Sequence, residues 1–316
     1  MLKLKQNPEK ILNRIDWTVI RRLDGLLQGD YRTLFHGFGL DLAELREYQF
    51  SDDVRYIDWN VTARLQTPYV RQYLEDREVT AWFLLDLSPS VDFGTVNVHK
   101  RDLLVDFVTL LARLLTRHGN RIGAIFYNGQ VGKFIVPQSG RLHVLRLLND
   151  LLMQPQLKRA APTNLATLFG AAASIIRRRS LLFVISDFLS VPGWEKTLSI
   201  LTTRQEVLAV RLYDPREVDF PDVGPLFLED AETGEQLYVD THDRKFRERF
   251  NRAAQERELK LNSAFSRVGV DVLTLSTEGD MVAEIMRFAA RRKRRQKSPA
   301  SFARAGATSI FPKPKA

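Results

Sequence analysis

The sequence predicts an α/β protein with a mostly parallel sheet and helices on both faces. Residues 79–85 and 181–185 are almost entirely apolar, which is typical of strands that are buried on both sides. Residues 100–118 carry leucine and phenylalanine at helical spacing, and Gly119 ends this pattern. Because such strands alternate with helices along the chain, we expect crossover connections and parallel pairing.

The other predicted elements follow the same alternation. Asn128-Gly129 predicts a hairpin over 121–136, and Thr233-Gly234 predicts a second hairpin over 227–239. The remaining helices are predicted over 17–27, 141–153, 163–178, 194–203, 243–267 and 280–291, and the remaining strands over 207–212 and 270–275.

Composition divides the chain into three regions. Residues 1–78 form an N-terminal module that is rich in arginine, aspartate and aromatic residues. Residues 79–290 form the α/β domain. Residues 291–316 are basic and then rich in serine, proline and alanine, so this tail is predicted to be disordered.

The composition excludes several classes of protein. The 316 residues include no cysteine, which excludes disulfides, thiolate metal sites and cysteine nucleophiles. No apolar run approaches the roughly 18 to 20 residues that span a bilayer. The first residues have charge but no apolar stretch of the kind found in secretory signals. We therefore expect a cytoplasmic protein.

The net charge of +9 is confined to the tail. From Phe288 onward there are nine Lys or Arg and no acid, which leaves 38 basic and 38 acidic residues before it. A neutral folded body does not predict a specific nucleic-acid binder. The run 291–297 could contact nucleic acid, an anionic membrane or an acidic partner. We favour the simpler interpretation, a solvated helix end that interacts with its own dipole.

Oxygen-bearing side chains follow the two buried strands and predict a metal site. The five candidate ligands are Asp86, Ser88, Ser90, Thr163 and Asp187. In a sheet of this kind ligands bind beyond the carboxyl ends of the strands, where the strand order reverses. An all-oxygen set with only two carboxylates suits Mg²⁺ or Mn²⁺ and disfavours Zn²⁺. The alternative is that Asp86 and the serines merely cap a helix N-terminus.

These residues resemble a known constellation. Asp86-Leu87-Ser88-Pro89-Ser90, with Thr163 and Asp187, is similar to the metal-ion-dependent adhesion site of von Willebrand factor A domains. Phe188 stands where many adhesion domains have glycine. The stretch LREYQFSDDVRYIDW at 45–59, continuing to Ala63-Arg64, resembles the signature of the bacterial domain-of-unknown-function family fifty-eight.

The resemblance carries expectations about function. It implies a von Willebrand factor A-like fold and a non-enzymatic adaptor that works with a MoxR-type AAA+ ATPase in the remodelling or maturation of a client complex. In such a site the cation keeps one coordination position open, and an Asp or Glu of a partner completes the coordination.

The charged residues of the N-terminal signature have three interpretations. They are Arg46, Asp52, Asp53, Arg55, Asp58 and Arg64. We favour a salt-bridged network that packs the first region against the sheet, with Trp59 buried, because intermixed charges neutralise each other. The alternatives are a partner-facing surface and a second metal site.

A catalytic function is the competing hypothesis. A strand-end aspartate such as Asp86 is the nucleophile of Mg²⁺-dependent phosphohydrolases of the haloacid-dehalogenase type. Those enzymes need a second carboxylate two positions later, where this chain has Ser88. The Gly-x-Ser-x-Gly motif and the phosphate loop are both missing from the sequence. We therefore expect no catalytic residues.

Overall fold

A six-stranded sheet forms the centre of the computed structural model, which describes residues 7–15, 44–49, 52–54, 57–72, 79–94, 98–157 and 159–296. The strands are β1 (Glu44–Glu47), β2 (Tyr69–Gln72), β3 (Thr80–Asp86), β4 (Arg121–Tyr127), β5 (Val131–Gln138), β6 (Leu181–Ser186), β7 (Glu206–Tyr213), β8 (Pro225–Glu229), β9 (Gln236–Asp240) and β10 (Asp271–Ser276). The helices are α1 (Pro8–Ile15), α2 (Trp59–Leu65), α3 (Lys100–Arg117), α4 (Arg141–Leu152), α5 (Leu165–Ile175), α6 (Trp194–Thr202), α7 (Arg244–Val268) and α8 (Met281–Gln296). The predicted helix over 17–27 lies outside the described residues.

The central sheet is mostly parallel, as predicted. Its strand order is β10-β7-β6-β3-β4-β5, and only β5 runs antiparallel to its neighbour. The first strand of the domain therefore lies in the middle, with the chain winding outward to both sides. The pairs β1–β2 and β8–β9 form two separate antiparallel sheets.

Alternate side chains of the central strands enter two different cores. Phe83 of β3 packs with α1, α3, α4 and α8 on one face, whereas Trp82 and Leu84 pack with α5, α6 and α7 on the other. Successive side chains of a strand point to opposite faces, so a strand covered on both sides must be apolar throughout. This explains why β6 is buried at all six positions.

Some element boundaries differ from the predictions. The short helices α1 and α2 were not predicted; Leu12 and Ile15 of α1 are buried in the first core. Helix α8 continues to Gln296 instead of ending at Arg291. Arg292 Nε lies 3.3 Å from Asp271 Oδ2 at the start of β10, so this basic residue belongs to the folded helix.

The prediction that Trp59 is buried is wrong. Its side chain is 69% exposed, while Asp58 is buried. The Asp58 carboxylate accepts a hydrogen bond from the Val61 amide (3.2 Å) at the start of α2. The capping aspartate therefore faces inward, and Trp59, in the first turn, faces outward. Arg55 lies outside the described residues, so the proposed Arg/Asp network stays a prediction.

Helix lengths and compositions bear on membrane association. In the described part of the chain, no helix is both long enough and apolar enough to cross a lipid bilayer.

Two glycines provide a matched test of the sheet packing. A Cβ on Gly123 of β4 would lie 2.8 Å from the Ile135 carbonyl oxygen and 2.9 Å from Trp82 Cε3, whereas a Cβ on Gly170 of α5 would meet no atom within 4 Å. We expect Gly123→Ala to lower the free energy of unfolding by about 1–3 kcal/mol through overpacking. Gly170→Ala should raise it by roughly 0.5–1 kcal/mol through helix propensity. Urea denaturation measures both; equal effects would contradict the β4–β5 packing.

Candidate metal centre

The two predicted carboxylates lie side by side at one edge of the sheet. Asp86 is the last residue of β3, and Asp187 directly follows β6. These strands are parallel neighbours, with Leu85 opposite Ile185. The chain passes from β3 to β4 on one side and returns to β6 on the other, so the pair sits where the strand order reverses.

Asp86 is fully buried and receives hydrogen bonds from neutral groups. Its Oδ1 accepts from the Ser88 amide (3.0 Å), and its Oδ2 accepts from Ser186 Oγ (2.6 Å). Burial, and after it the negative charge of Asp187, raise the pKa of Asp86 to about 6 against the effect of these hydrogen bonds. A buried carboxylate with this environment gains from any cation placed beside it.

Asp187 is paired with a buried lysine that sequence reasoning missed. Lys100 Nζ, at the start of α3, lies 2.6 Å from Asp187 Oδ2 and 2.6 Å from Glu217 Oε1. Burial alone would lower the pKa of Lys100, but the charges of Asp187 and Glu217 outweigh burial and raise it. The ammonium group therefore stays charged and neutralises part of this side of the site.

Ser88 and Ser90 face each other in the loop after β3. Both are buried, and their Oγ atoms are 3.1 Å apart. Ser88 precedes a short 3₁₀ turn (Pro89–Asp92), but its side chain makes no capping hydrogen bond. The alternative that Ser88 merely caps a helix is therefore not supported. Oxygens on adjacent corners of an octahedral Mg²⁺ site are about 2.9 Å apart for Mg–O lengths near 2.1 Å.

Thr163 is also buried, in the loop before α5. Its carbonyl accepts hydrogen bonds from the Val191 amide (2.9 Å) and Ser190 Oγ (3.0 Å) of the loop after β6. Helix α5 begins at Leu165 with Asn164 as its cap, so Thr163 precedes the helix instead of opening it. Its hydroxyl donates to Glu232 Oε1 at 2.5 Å.

Tyr127 connects the Thr163 loop with the carboxylates. Its hydroxyl, at the end of β4, accepts a hydrogen bond from the Asn164 amide (2.8 Å). Burial is the main cause that raises the pKa of Tyr127, and the charges of Asp86 and Glu232 both add to it. Tyr127 pairs with Asp86 across β4 and β3, so it joins the Thr163 loop to the strand end of the carboxylates.

The donor set fits a hard divalent cation. Within the described ranges, no three His, Asp or Glu side chains are arranged to hold a metal ion. The candidate site differs from such a cage because it has two carboxylates and three hydroxyls, namely Asp86, Ser88, Ser90, Thr163 and Asp187. Carboxylate and hydroxyl oxygens suit Mg²⁺ or Mn²⁺. Asp86 and the serines could ligate directly, with Lys100 limiting the total negative charge.

Sequence reasoning missed four residues at this site: Lys100, Tyr127, Ser186 and Glu232. Ser186 immediately precedes Asp187, so a search for strand-end hydroxyls could have found it. A lysine at the start of an amphipathic helix carries no signal of burial. Glu232 lies in a hairpin turn, and no local pattern relates it to Thr163.

The fold defines a von Willebrand factor A-like α/β protein with oxygen-bearing side chains at its switch point. The chain belongs to the family described as "Protein of unknown function DUF58", which it matches over residues 44–260. "Uncharacterized protein Rv1480" from Mycobacterium tuberculosis (strain ATCC 25618 / H37Rv) is 38% identical over 283 residues, covering 90% of this chain and 89% of the relative.

Solved structures resemble the chain more distantly. BatB from Bacteroides thetaiotaomicron is 14% identical, with a TM-score of 0.44 over 68% of this chain and 99% of that chain. Manganese-loaded TRAP protein from Plasmodium vivax is 14% identical, with a TM-score of 0.34 over 42% of this chain and 57% of that chain. The family assignment therefore rests on sequence.

The raised pKa of Asp86 predicts a pH dependence of the metal-free protein. A carboxyl whose pKa rises on folding, here from 3.8 to about 6, favours the folded state below pH 3.8. That contribution is lost as the pH rises through about 6. Between pH 4 and pH 7.5 the unfolding free energy should fall by about 2.4 kcal/mol more in wild type than in Asp86→Asn. Urea denaturation in chelator measures this difference, and parallel pH profiles would contradict the burial of an ionising Asp86.

Proposed function

We propose that this protein is a non-enzymatic, metal-dependent interaction protein that binds an acidic side chain of a partner through Mg²⁺ or Mn²⁺. The observation that carries the proposal is the position of Ser88 and Ser90 beside two buried carboxylates. The Ser88 side chain makes no helix-capping hydrogen bond. The two hydroxyls hydrogen-bond to each other, and their remaining lone pairs could ligate a cation.

The charges at the site explain why a bound ion would attract a carboxylate of a partner. Asp86 and Asp187 supply two negative charges, but Lys100 already interacts with Asp187. The hydroxyls of Ser88 and Ser90 contribute dipoles and no charge. A divalent cation held by this set keeps a net attraction for a further carboxylate. An Asp or Glu from a partner would satisfy it in a site partly screened from solvent.

The resemblance of the 45–64 signature supports a specific partner. The resemblance implies that members of this family accompany MoxR-type AAA+ ATPases, and this protein would connect such an ATPase to a client complex during remodelling or maturation. A single ion-mediated carboxylate contact can be reversed, which would suit an adaptor that must release its client.

The phosphohydrolase alternative has less support. Such an enzyme needs a carboxyl group two positions after its nucleophile, and Ser88 occupies that place. Both carboxylate oxygens of Asp86 also accept hydrogen bonds, from the Ser88 amide (3.0 Å) and from Ser186 Oγ (2.6 Å). These bonds would reduce the nucleophilicity of Asp86 and would hold its carboxylate in one orientation for ligation.

Metal titration tests the site assignment. We expect chelator-treated wild type to bind one Mn²⁺, and Asp86→Ala to lose at least about 100-fold in affinity, because even outer partners of metal ligands contribute 10- to 100-fold. Asp219 is exposed, so Asp219→Ala is a control that removes one carboxylate elsewhere. Isothermal calorimetry gives the affinities. Equal binding by Asp86→Ala and wild type would eliminate this site.

Partner binding tests the hydroxyl ligands. The double variant Ser88→Ala/Ser90→Ala should weaken binding to a purified MoxR-type ATPase from the same organism by at least about 10-fold, or about 1.4 kcal/mol. Chelation should have the same effect reversibly. Ser174 and Ser199 are both exposed, so Ser174→Ala/Ser199→Ala is the control double variant. If association survives both the chelator and the Ser88/Ser90 variant, the ATPase uses another surface.

A further inference from the structure

A hairpin outside the central sheet reaches the candidate site with its turn. Strands β8 and β9 are joined by residues 230–235. Asp230 Oδ1 accepts hydrogen bonds from the Glu232 amide (3.0 Å), the Thr233 amide (2.6 Å) and Thr233 Oγ1 (2.9 Å). These bonds stabilise one conformation of the turn, and this conformation directs Glu232 toward the central domain.

Glu232 binds Thr163 at three points. Its Oε1 accepts from the Thr163 hydroxyl at 2.5 Å, and both carboxylate oxygens lie 3.2 Å from the Thr163 amide nitrogen. Its carbonyl also accepts from the Ala160 amide (3.0 Å). A carboxylate is thus placed against the hydroxyl of one of the five candidate ligands.

The Thr163 loop connects this carboxylate with the strand end that carries Asp86. The Asn164 amide donates to the Tyr127 hydroxyl (2.8 Å), and Tyr127 pairs with Asp86 across β4 and β3. Glu232 Oε1 lies 2.5 Å from Thr163 Oγ1, which is within the roughly 2.9 Å that separates neighbouring ligand oxygens of one Mg²⁺ ion. An ion ligated by Thr163 would therefore lie within reach of the Glu232 carboxylate.

The hairpin is attached in a way that permits release of its tip. In the described part of the chain, β8 and β9 hydrogen-bond as strands only with each other. The base is fixed by the buried Thr241, whose Oγ1 donates to the Gly224 carbonyl (2.8 Å) and accepts from the Val223 amide (2.9 Å). Lifting the tip would break the bonds to Thr163 and Ala160 and separate Gly234 from the Arg159 side chain, while the Thr241 bonds at the base could remain.

We propose that Glu232 is an internal carboxylate that covers the open coordination position of the ion, so that a partner's Asp or Glu must displace it. This inference rests on the metal-dependent function proposed above and adds its regulation. A tethered carboxylate acts at an effective concentration in the millimolar range. A partner with a single acidic side chain therefore competes poorly, and one that also holds the lifted hairpin competes well.

Mn²⁺ itself serves as the probe, and acetate stands in for a partner carboxylate. Water-proton relaxivity of bound Mn²⁺ reports how many exchangeable waters it carries. In wild type, Glu232 occupies the open position, so acetate should leave the relaxivity unchanged. In Glu232→Ala, a water should take this position, which raises the relaxivity by one water's contribution, and acetate should lower it again.

The control variant is Glu235→Ala, which removes an exposed carboxylate from the same turn. It should behave like wild type in both measurements. Hydrogen exchange at the Thr163 amide gives a readout independent of the metal, and we expect faster exchange in Glu232→Ala than in Glu235→Ala. Thermal unfolding of each variant confirms that the body remains folded.

The outcomes separate this inference from the one on which it rests. Equal relaxivity and equal acetate response in wild type and Glu232→Ala, with Mn²⁺ bound to both, would overturn the internal ligand while the metal site stands. Absence of Mn²⁺ binding from both folded proteins would overturn the metal site and the internal ligand together.

Discussion

The parallel register of β3 and β6 places two carboxylates next to each other inside the protein, and the rest of the site compensates for their repulsion. Leu85 pairs with Ile185, so Asp86 and Asp187 emerge at the same level of the sheet. Burying ionised carboxylates costs several kcal/mol each unless hydrogen bonds or opposite charges satisfy them. The loops after both strands supply amide donors, and Ser186 supplies a hydroxyl. The fold thus maintains a concentration of negative charge that a cation would stabilise.

Lys100 divides the two carboxylates into different roles. Its ammonium bridges Asp187 and Glu217 and offsets one of their two negative charges within the protein. Asp86 receives its hydrogen bonds from neutral donors, and its raised pKa reflects burial and the Asp187 charge. A divalent ion would therefore stabilise the buried charge of Asp86 most. It would contact Asp187 on the side that Lys100 does not occupy. Because Lys100 offsets part of the negative charge of this site, two carboxylates supply a divalent cation with less than two full negative charges.

The sequence predicted the elements that depend on local pattern and missed those that depend on distant contacts. Continuous apolar runs identified β3 and β6, and strand ends identified Asp86 and Asp187, because parallel strands must expose their carboxyl ends together. The burial of Lys100 depends on Glu217, 117 residues later. The contact of Glu232 with Thr163 spans 69 residues. No window of sequence contains either pair, so periodicity could not reveal them.

The two cores hold most of the site rigidly and leave one side adjustable. Phe188, directly after Asp187, has φ of +60°, a conformation that costs a non-glycine residue about 1–2 kcal/mol. Its ring packs against Trp194 and Phe265, at centroid distances of 5.6 and 4.9 Å, which offsets that strain. The loop after β6 is thereby fixed to α6 and α7. On the opposite face, α3 packs against the other core and fixes Lys100. Glu232 reaches the site from a hairpin outside the central sheet, and the base of this hairpin is tied to α7 because Arg247 donates to the Thr241 carbonyl. A change in access through this hairpin would therefore involve its tip and not its base.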